Sequence, residues 1–274
     1  MKLSIIIPTL GRETLENVLE AIENCDGYKE IKPEVIIVFS GDKSVREVNE
    51  DHFKIFKCPV LGASPARNLG IEKSTGEIIA FLGDDTIPSI TWLRRVYNFH
   101  TAHPSQKDTL LGKVSWTPEL AKDPFHKWME NNAQFAFKSI VKRGAGWRHF
   151  YTSNISVKRS LISGERFSDK FKGWGFEDIE FGYRLARRGM RMHYDPTCEV
   201  FHDHEQNFED LLKNTKNARK NAEVFEKLHP ELQIIPRGAK KFALKSLILL
   251  SHCYESKRMT WWRKWKKAWM GDNE

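Results

Sequence analysis

Cysteine is scarce in this 274-residue chain: Cys25, Cys58, Cys198 and Cys253 lie far apart, with no Cys-x-x-Cys pair. Such spacing offers neither a zinc site nor a disulfide framework, and it predicts a reducing, cytoplasmic setting. Long apolar runs are missing too. The N-terminal burst Leu3–Ile7 stops at Pro8, too short for a signal peptide. The stretch Phe242–Leu250 is interrupted by Lys245 and falls far short of the roughly 20 residues a spanning helix needs. The chain is therefore expected not to cross a membrane. There is no internal repeat, no low-complexity linker and no nucleic-acid-binding motif. A nucleotidyltransferase would more often carry a Gly-rich, Lys- or Arg-bearing loop after its first strand, and Pro8-Thr-Leu-Gly-Arg-Glu-Thr-Leu-Glu-Asn17 is a poor version of one.

What the chain does have is basic charge and chemistry at strand ends. Lys and Arg total 44 against 36 Asp and Glu, a formal net of +8, which suggests an anionic partner: nucleotide, nucleic acid or lipid headgroup. A 40% hydrophobic share suffices for a substantial core. In the first half, apolar bursts at Leu3–Ile7, Glu34–Phe39, Lys54–Val60 and Glu77–Leu82 alternate with helical patterns at Thr14–Cys25 and Ala66–Ser74. Unbroken apolar strands separated by helices predict a doubly wound, mainly parallel sheet covered on both faces. Ligands of such sheets sit beyond the carboxyl ends of the strands, where Thr9, Asp42 and Asp84-Asp85 fall. In the second half, Phe150–Val157 reads as a strand, Phe176–Arg188 as a helix, and Arg191–Tyr194 and Cys198–His204 as two short strands. Beyond Asn207 the pattern is helical and polar. These features predict a catalytic-size domain over 1–206 and a helical extension over 207–274.

Three clusters carry chemistry. Asp84-Asp85-Thr86 places two repelling carboxylates just past a buried strand, an arrangement a Mg2+ or Mn2+ ion would compensate. Gly173-Trp-Gly-Phe-Glu-Asp178 combines glycines that permit close backbone approach, a flat Trp174 for a sugar ring or base, and two acids at a helix start. A carboxylate held there can act as general base on a hydroxyl. In Phe201-His-Asp-His204 an extended segment would turn His202 and His204 to the same face, so either can reach a metal. Each has a bland counterpart: a solvated turn, an ordinary acidic helix start, packed histidines.

Together and in this order, SIIIPTLGR, SPARNLGIEKSTGEIIAFLGDDTIP, GWGFEDIEFGYRLARRG and EVFHDH resemble the inverting nucleotide-sugar glycosyltransferases of glycosyltransferase family two, over approximately residues 3–204. The resemblance implies a GT-A fold, a Rossmann-like mixed sheet flanked by helices, and a divalent metal cofactor. It implies nucleotide-sugar contacts at Thr9, Arg12, Asp42, Arg67, Asn68 and Asp84, with Asp85 as metal ligand. It makes Asp178 the catalytic base, with Glu177 beside it and Trp174 and Gly173 near the acceptor. His202 matches a C-terminal metal ligand, with His204 as its understudy. Gly83 stands where the family often has a further acid, and FSGD replaces the acid that usually follows strand two directly. The expected partners are a nucleotide-sugar, by preference a UDP-sugar, and a glycan or lipid-linked acceptor in surface polysaccharide or glycolipid synthesis. No nucleic acid is expected. The alternatives are a nucleotidyltransferase and a non-catalytic basic module on the same fold.

The tail Lys257–Trp269 carries four of nine tryptophans and no acid. Trp261, Trp262, Trp265 and Trp269 share one helix face, opposite Arg263, Lys264, Lys266 and Lys267. Two readings follow: an interfacial helix over 257–270 lying on anionic lipid at the inner face of a cell membrane, or a Trp face docked on protein. The segment Trp116–Gly146, rich in Phe, Trp and Arg, is the expected acceptor-docking region.

Overall fold

The computed structural model describes residues 1–41, 53–133, 137, 140–141, 144–251 and 256–271. Its strands are β1 Leu3–Thr9, β2 Glu34–Ser40, β3 Lys54–Cys58, β4 Ile78–Leu82, β5 Thr86–Pro88, β6 Asp108–Trp116, β7 Asn154–Lys158 and β8 Arg191–His202. The helices are α1 Thr14–Glu23, α2 Tyr28–Ile31, α3 Ala63–Lys73, α4 Trp92–Ala102, α5 Pro124–Asn132, α6 Glu177–Arg187, α7 Phe208–Leu228, α8 Gly238–Leu250 and α9 Lys257–Met270.

The strands form one mixed sheet in the order β3-β2-β1-β4-β7-β6-β8-β5. The first four are parallel, β7 runs antiparallel between β4 and β6, and β8 is parallel to β6. β1 explains its own burial. Leu3, Ile5 and Ile7 join a core with Leu15, Val18 and Ile22 of α1 and Trp92, Leu93 and Val96 of α4. Ile6 points to the other face, against Ile71 of α3 and Phe181 and Leu185 of α6. Both faces are covered, so unbroken β-branched sequence is what the position requires.

The expected pair of short strands after Arg191 is one strand. The β6–β8 ladder jumps from Gly112–Asp195 to Lys113–Glu199, leaving three residues of β8 unpaired. Pro196 lies among them and has no N–H to give the ladder, so the bulge falls where proline allows it. Opposite it, a Cβ on Gly112 would come within 2.2 Å of both Asn154 Nδ2 and the Cys198 carbonyl. That amide bonds the Lys113 and Cys198 carbonyls at 2.9 Å each, while Asn154 Oδ1 accepts from Trp92 Nε1 at 2.8 Å. Gly112→Ala is therefore expected to destabilise by about 1–3 kcal/mol, read as a lower denaturant midpoint with an unchanged slope.

Of the two readings of the tail, the contacts of its tryptophans follow the docked one. Trp261, Trp262 and Trp265 are partly buried against Trp116, Phe125, Trp128, Met129 and Leu211. Trp261 meets the Phe125 ring edge-on at 5.0 Å, and Trp269 stacks on Phe176 with planes 4° apart. These indoles make their contacts with protein while staying partly exposed. The described part of 116–146 supplies the other half of this aromatic core. Among the described residues, no helix is long and apolar enough to cross a membrane.

Candidate active site

Two polar clusters meet at the carboxyl end of the parallel strands. In the first, the β4–β5 turn carries Asp84 and Asp85. Thr9, at the end of β1, donates its hydroxyl to Asp84 Oδ2 at 2.7 Å and receives the Gly11 N–H at 2.9 Å. Arg12 bridges the pair, with Nη1 on Asp85 Oδ2 at 2.9 Å and Nε 3.6 Å from Asp84 Oδ1. Burial and the neighbouring Asp85 charge push the Asp84 carboxyl up to about 6, against the Thr9 bond and Arg12. Asp84 and Thr9 are thus committed to each other. Asp85 is the more outward carboxylate.

β8 brings His202 to the same turn. Thr86 pairs with His202 in the ladder, and the Asp203 N–H bonds the Asp85 carbonyl at 2.7 Å. His202 Nε2 lies 3.7 Å from Asp85 Oδ2, with the Trp116 ring edge-on to the imidazole at 4.9 Å. The strand ends at His202, so His204 no longer follows its alternation, and the two ring centroids stand 6.3 Å apart. Burial holds both imidazoles below their ordinary pKa, which keeps them neutral near pH 7.

The second cluster sits at the start of α6. Arg67, from the Ser-Pro-Ala-Arg-Asn turn of α3, donates Nη1 to Glu177 Oε1 at 3.1 Å and lies over the Phe167 ring. Asp178 accepts the Ile179 N–H at 2.8 Å and a backbone bond from Thr152. Desolvation, then the Glu177 charge, push its carboxyl up to about 7 against the pull of Arg67. Asn68 belongs to neither cluster. Its amide donates to the Phe167 carbonyl at 2.9 Å and accepts the Phe167 N–H at 2.8 Å, so it staples the 167 loop. Asp42 lies outside the described residues.

One short segment joins the clusters. Thr86, next to Asp85, donates to the Ser153 carbonyl at 3.3 Å, and Thr152 supplies the backbone bond to Asp178. The diacid turn and the α6 carboxylates therefore flank the same entry into β7.

The loop before α6 is held from the C-terminal side, which sequence reasoning missed. Gly173, Gly175 and Phe176 all have positive φ, of 70°, 96° and 76°. For Phe176 that conformation costs about 1–3 kcal/mol, and its ring is clamped between Trp269 and Phe225. Asn221 of α7 is 3% exposed and sends its amide to the carbonyls of Lys172, Trp174 and Gly175 at 3.0, 3.3 and 2.8 Å. Trp174 itself is 47% exposed. A lone Asn in a polar helical stretch carries no signal in sequence. Asn221→Ala leaves three carbonyls without their donor, at a cost of about 1–3 kcal/mol. The expected outcome is a roughly tenfold rise in acceptor KM with nucleotide binding unchanged. A fall in Tm at constant KM would leave Asn221 with a structural part only.

As a metal centre the first cluster offers a pair of donors. Among the described residues no group of three or more His, Cys, Asp or Glu is arranged to hold an ion. Asp85 Oδ2 and His202 Nε2 are a carboxylate oxygen and a neutral imidazole nitrogen on one side of one space, a set that Mn2+ accepts. Mg2+-type cations commonly take further ligands from substrate phosphates and water. The residues thus fit an ion bound jointly with a diphosphate, provided that Arg12 cedes the Asp85 oxygen it now holds.

Against known proteins, residues 4–163 match the family model described as glycosyl transferase family 2. The chain is 26% identical over 237 residues to a glucosyl-dolichyl phosphate glucuronosyltransferase of Haloferax volcanii, covering 82% of this chain and 70% of that one. It is 25% identical to a hyaluronan synthase of Pasteurella multocida over 68% of this chain, and spans only 22% of that synthase's length. A mannosyltransferase from Pyrobaculum calidifontis, solved with GDP-Man and Mn2+, superposes with a TM-score of 0.65 at 14% identity, over 99% of this chain and 85% of the other. The last likeness concerns the fold.

Proposed function

The chain belongs to glycosyl transferase family 2, and on that premise we propose an inverting, metal-dependent transfer of a sugar from a nucleoside diphosphate-sugar, by preference a UDP-sugar, to an acceptor hydroxyl in surface polysaccharide or glycolipid synthesis. The observation that carries this reading is the Asp178 carboxylate, raised to about 7 at the first turn of α6 and joined through Thr152–Ser153 to the Asp85 turn. In the proposed step Asp178 takes the acceptor hydroxyl proton as that oxygen bonds the anomeric carbon and the diphosphate leaves from the opposite side. Glu177 is ion-paired with Arg67 at 3.1 Å, which leaves Asp178 as the carboxylate for the acceptor hydroxyl. Trp174 and Gly173 border the acceptor. Thr9 and Asp84 brace the turn that presents Asp85, and Arg12 offers its guanidinium to the diphosphate. Asp85 and His202, with His204 next in line, would hold the divalent ion, whose chemistry is to offset charge on the leaving diphosphate.

The relatives' printed names support the choice of acceptor class: one acts on a dolichyl phosphate-linked sugar, another is a polysaccharide synthase. Within the chain, 1–206 is proposed as the transferase unit and 207–274 as an extension that braces its acceptor loop through Asn221 and Trp269. The test is a thermal-shift panel of UDP, GDP, CDP, dTDP and ADP, each with Mn2+ and with EDTA. A stabilisation by UDP that EDTA reduces to a smaller, metal-independent remainder is expected. A metal-dependent shift with another diphosphate would overturn the uridine preference, and a shift indifferent to EDTA the metal.

A further inference from the structure

The Trp-rich helix is turned inward, yet the helix before it is not. On α8, Phe242, Leu247, Leu249 and Leu250 are 74, 55, 72 and 65% exposed, while Ile248 on the other side is buried. At about 100° per residue the four exposed side chains span an arc of about 160°, with Ala243 and Ser246 between them. Lys245 lies just beyond one edge of that arc and Lys240 just beyond the other. Isolated exposed leucines need no explanation, but a contiguous apolar face bordered by lysines does.

A second observation concerns where the charge sits. Residues 237–271 hold ten Lys and Arg and one acid, a surplus of nine in a chain of net charge +8. The rest of the protein is left at −1. The whole basic excess is therefore concentrated in α8, α9 and their connection. Leu247 and Leu250 also line a groove of about 600 Å³ with Trp128, Met259, Trp262 and Arg258, so the apolar surface continues inward beside a cation.

We propose that the outer face of α8 lies on an anionic lipid surface, with Phe242, Leu247, Leu249 and Leu250 entering the headgroup–acyl boundary and the flanking Lys240 and Lys245 meeting lipid phosphates. An apolar arc flanked by lysines, exposed among the described residues and set in the most basic stretch of the chain, is the arrangement that binds such a surface. Trp261, Trp265 and Trp269 take no part, because their rings pack against Phe125, Trp128 and Phe176. The inference stands on surface and charge alone and does not need the transfer chemistry.

The experiment is co-sedimentation of the full chain with vesicles of phosphatidylcholine, with and without phosphatidylglycerol. Wild type is expected to partition onto the anionic vesicles and to release as salt shortens the screening length from about 10 Å at 0.1 M to about 3 Å at 1 M. Phe242→Ser with Leu249→Ser should reduce partition at least about tenfold, with no change in thermal midpoint because both side chains are exposed. Lys240→Glu with Lys245→Glu should remove the preference for phosphatidylglycerol, whereas Trp261→Phe should partition like wild type. Wild type that fails to bind, or serine variants that bind equally well, would overturn the proposal. So would a concentration-dependent dimer in sedimentation velocity that the serine pair dissolves while vesicle binding persists, since the face would then belong to a second copy. Partition is read without turnover, so its failure is separate from any failure of the catalytic reading.

Discussion

Asp178→Asn is expected to lose about 10²–10⁴-fold in kcat while gaining thermal stability and keeping its nucleotide-dependent thermal shift. The two effects share a cause. The folded-state pKa of Asp178 is raised to about 7, first by burial and then by Glu177. Its pKa in the unfolded chain is near that of a free carboxylate, about 4. Between those values the folded protein holds a proton that the unfolded one has released, so stability from this group declines as pH rises through that window. Above 7 the full cost of a buried, repelled charge is present. Asn keeps the acceptor oxygen for the Ile179 N–H and discards the charge, which should stabilise the protein at pH 8 by at most a few kcal/mol. At pH 4 the gain should vanish. The same pKa governs rate: wild-type kcat should climb with pH through a midpoint near 7 and level off, because only the ionised carboxylate accepts a proton. The residual rate of the variant should be flat across that range. Equal rates for variant and wild type at pH 8 would remove Asp178 from the base role, and a variant less stable than wild type would assign the carboxylate to structure.

The parallel half of the fold was legible because β1, β2 and β4 are buried on both faces and read as unbroken apolar runs, and because α1 is amphipathic. β1, β2 and β4 lie within a residue or two of the apolar bursts that announce them. The antiparallel half was not. β6 went unread although Pro104-Ser105 before it and Pro118 after it bracket the strand, and Pro196 splits β8 in sequence although its partner strand holds it together in space. α5 did carry a signal that went unused: Asp123 caps the Phe125 and His126 N–H groups, with Pro124 at the first helical position. At the site, Thr9, Arg12, Asp84, Asp85 and His202 fall into one cluster and Arg67, Glu177 and Asp178 into another, a grouping that comes only from geometry. Asn68 looks like a ligand contact in sequence and is a loop staple in space. Thr9 and Asp84 are bonded to each other. Asn221 lies outside every motif and Trp269 was read only as one of the tail's Trp face, since a donor to three loop carbonyls and a ring stacked on Phe176 become visible only when α7 and α9 fold back.

Asp85→Asn is expected to abolish the Mn2+-dependent part of the nucleotide-induced thermal shift and to lower kcat by about two to three decades, the equivalent of the several kcal/mol that a bound cation contributes against leaving-group charge. The substitution preserves shape, so its effects are those of charge. Asp85 carries the outward oxygen of the turn, 2.9 Å from Arg12 Nη1 and 3.7 Å from His202 Nε2. With the charge gone, the donor pair that would hold an ion is reduced to His202 alone. Arg12 keeps Asp84 as a partner at 3.6 Å, so the guanidinium remains available to a diphosphate. A metal-independent remnant of nucleotide binding should therefore survive, equal with Mn2+ and with EDTA. Asp84 also loses the like charge beside it, and its carboxyl should move down from about 6 toward the ordinary range. These expectations separate a ligand from a structural acid. A structural acid would lower the melting temperature of the free protein and leave the difference between Mn2+ and EDTA intact. A ligand lowers that difference to zero while the free protein, relieved of one of two repelling carboxylates, melts no earlier than wild type. Retention of the Mn2+-dependent shift in Asp85→Asn would move the ion to other donors and leave Asp85 as the anchor of Arg12.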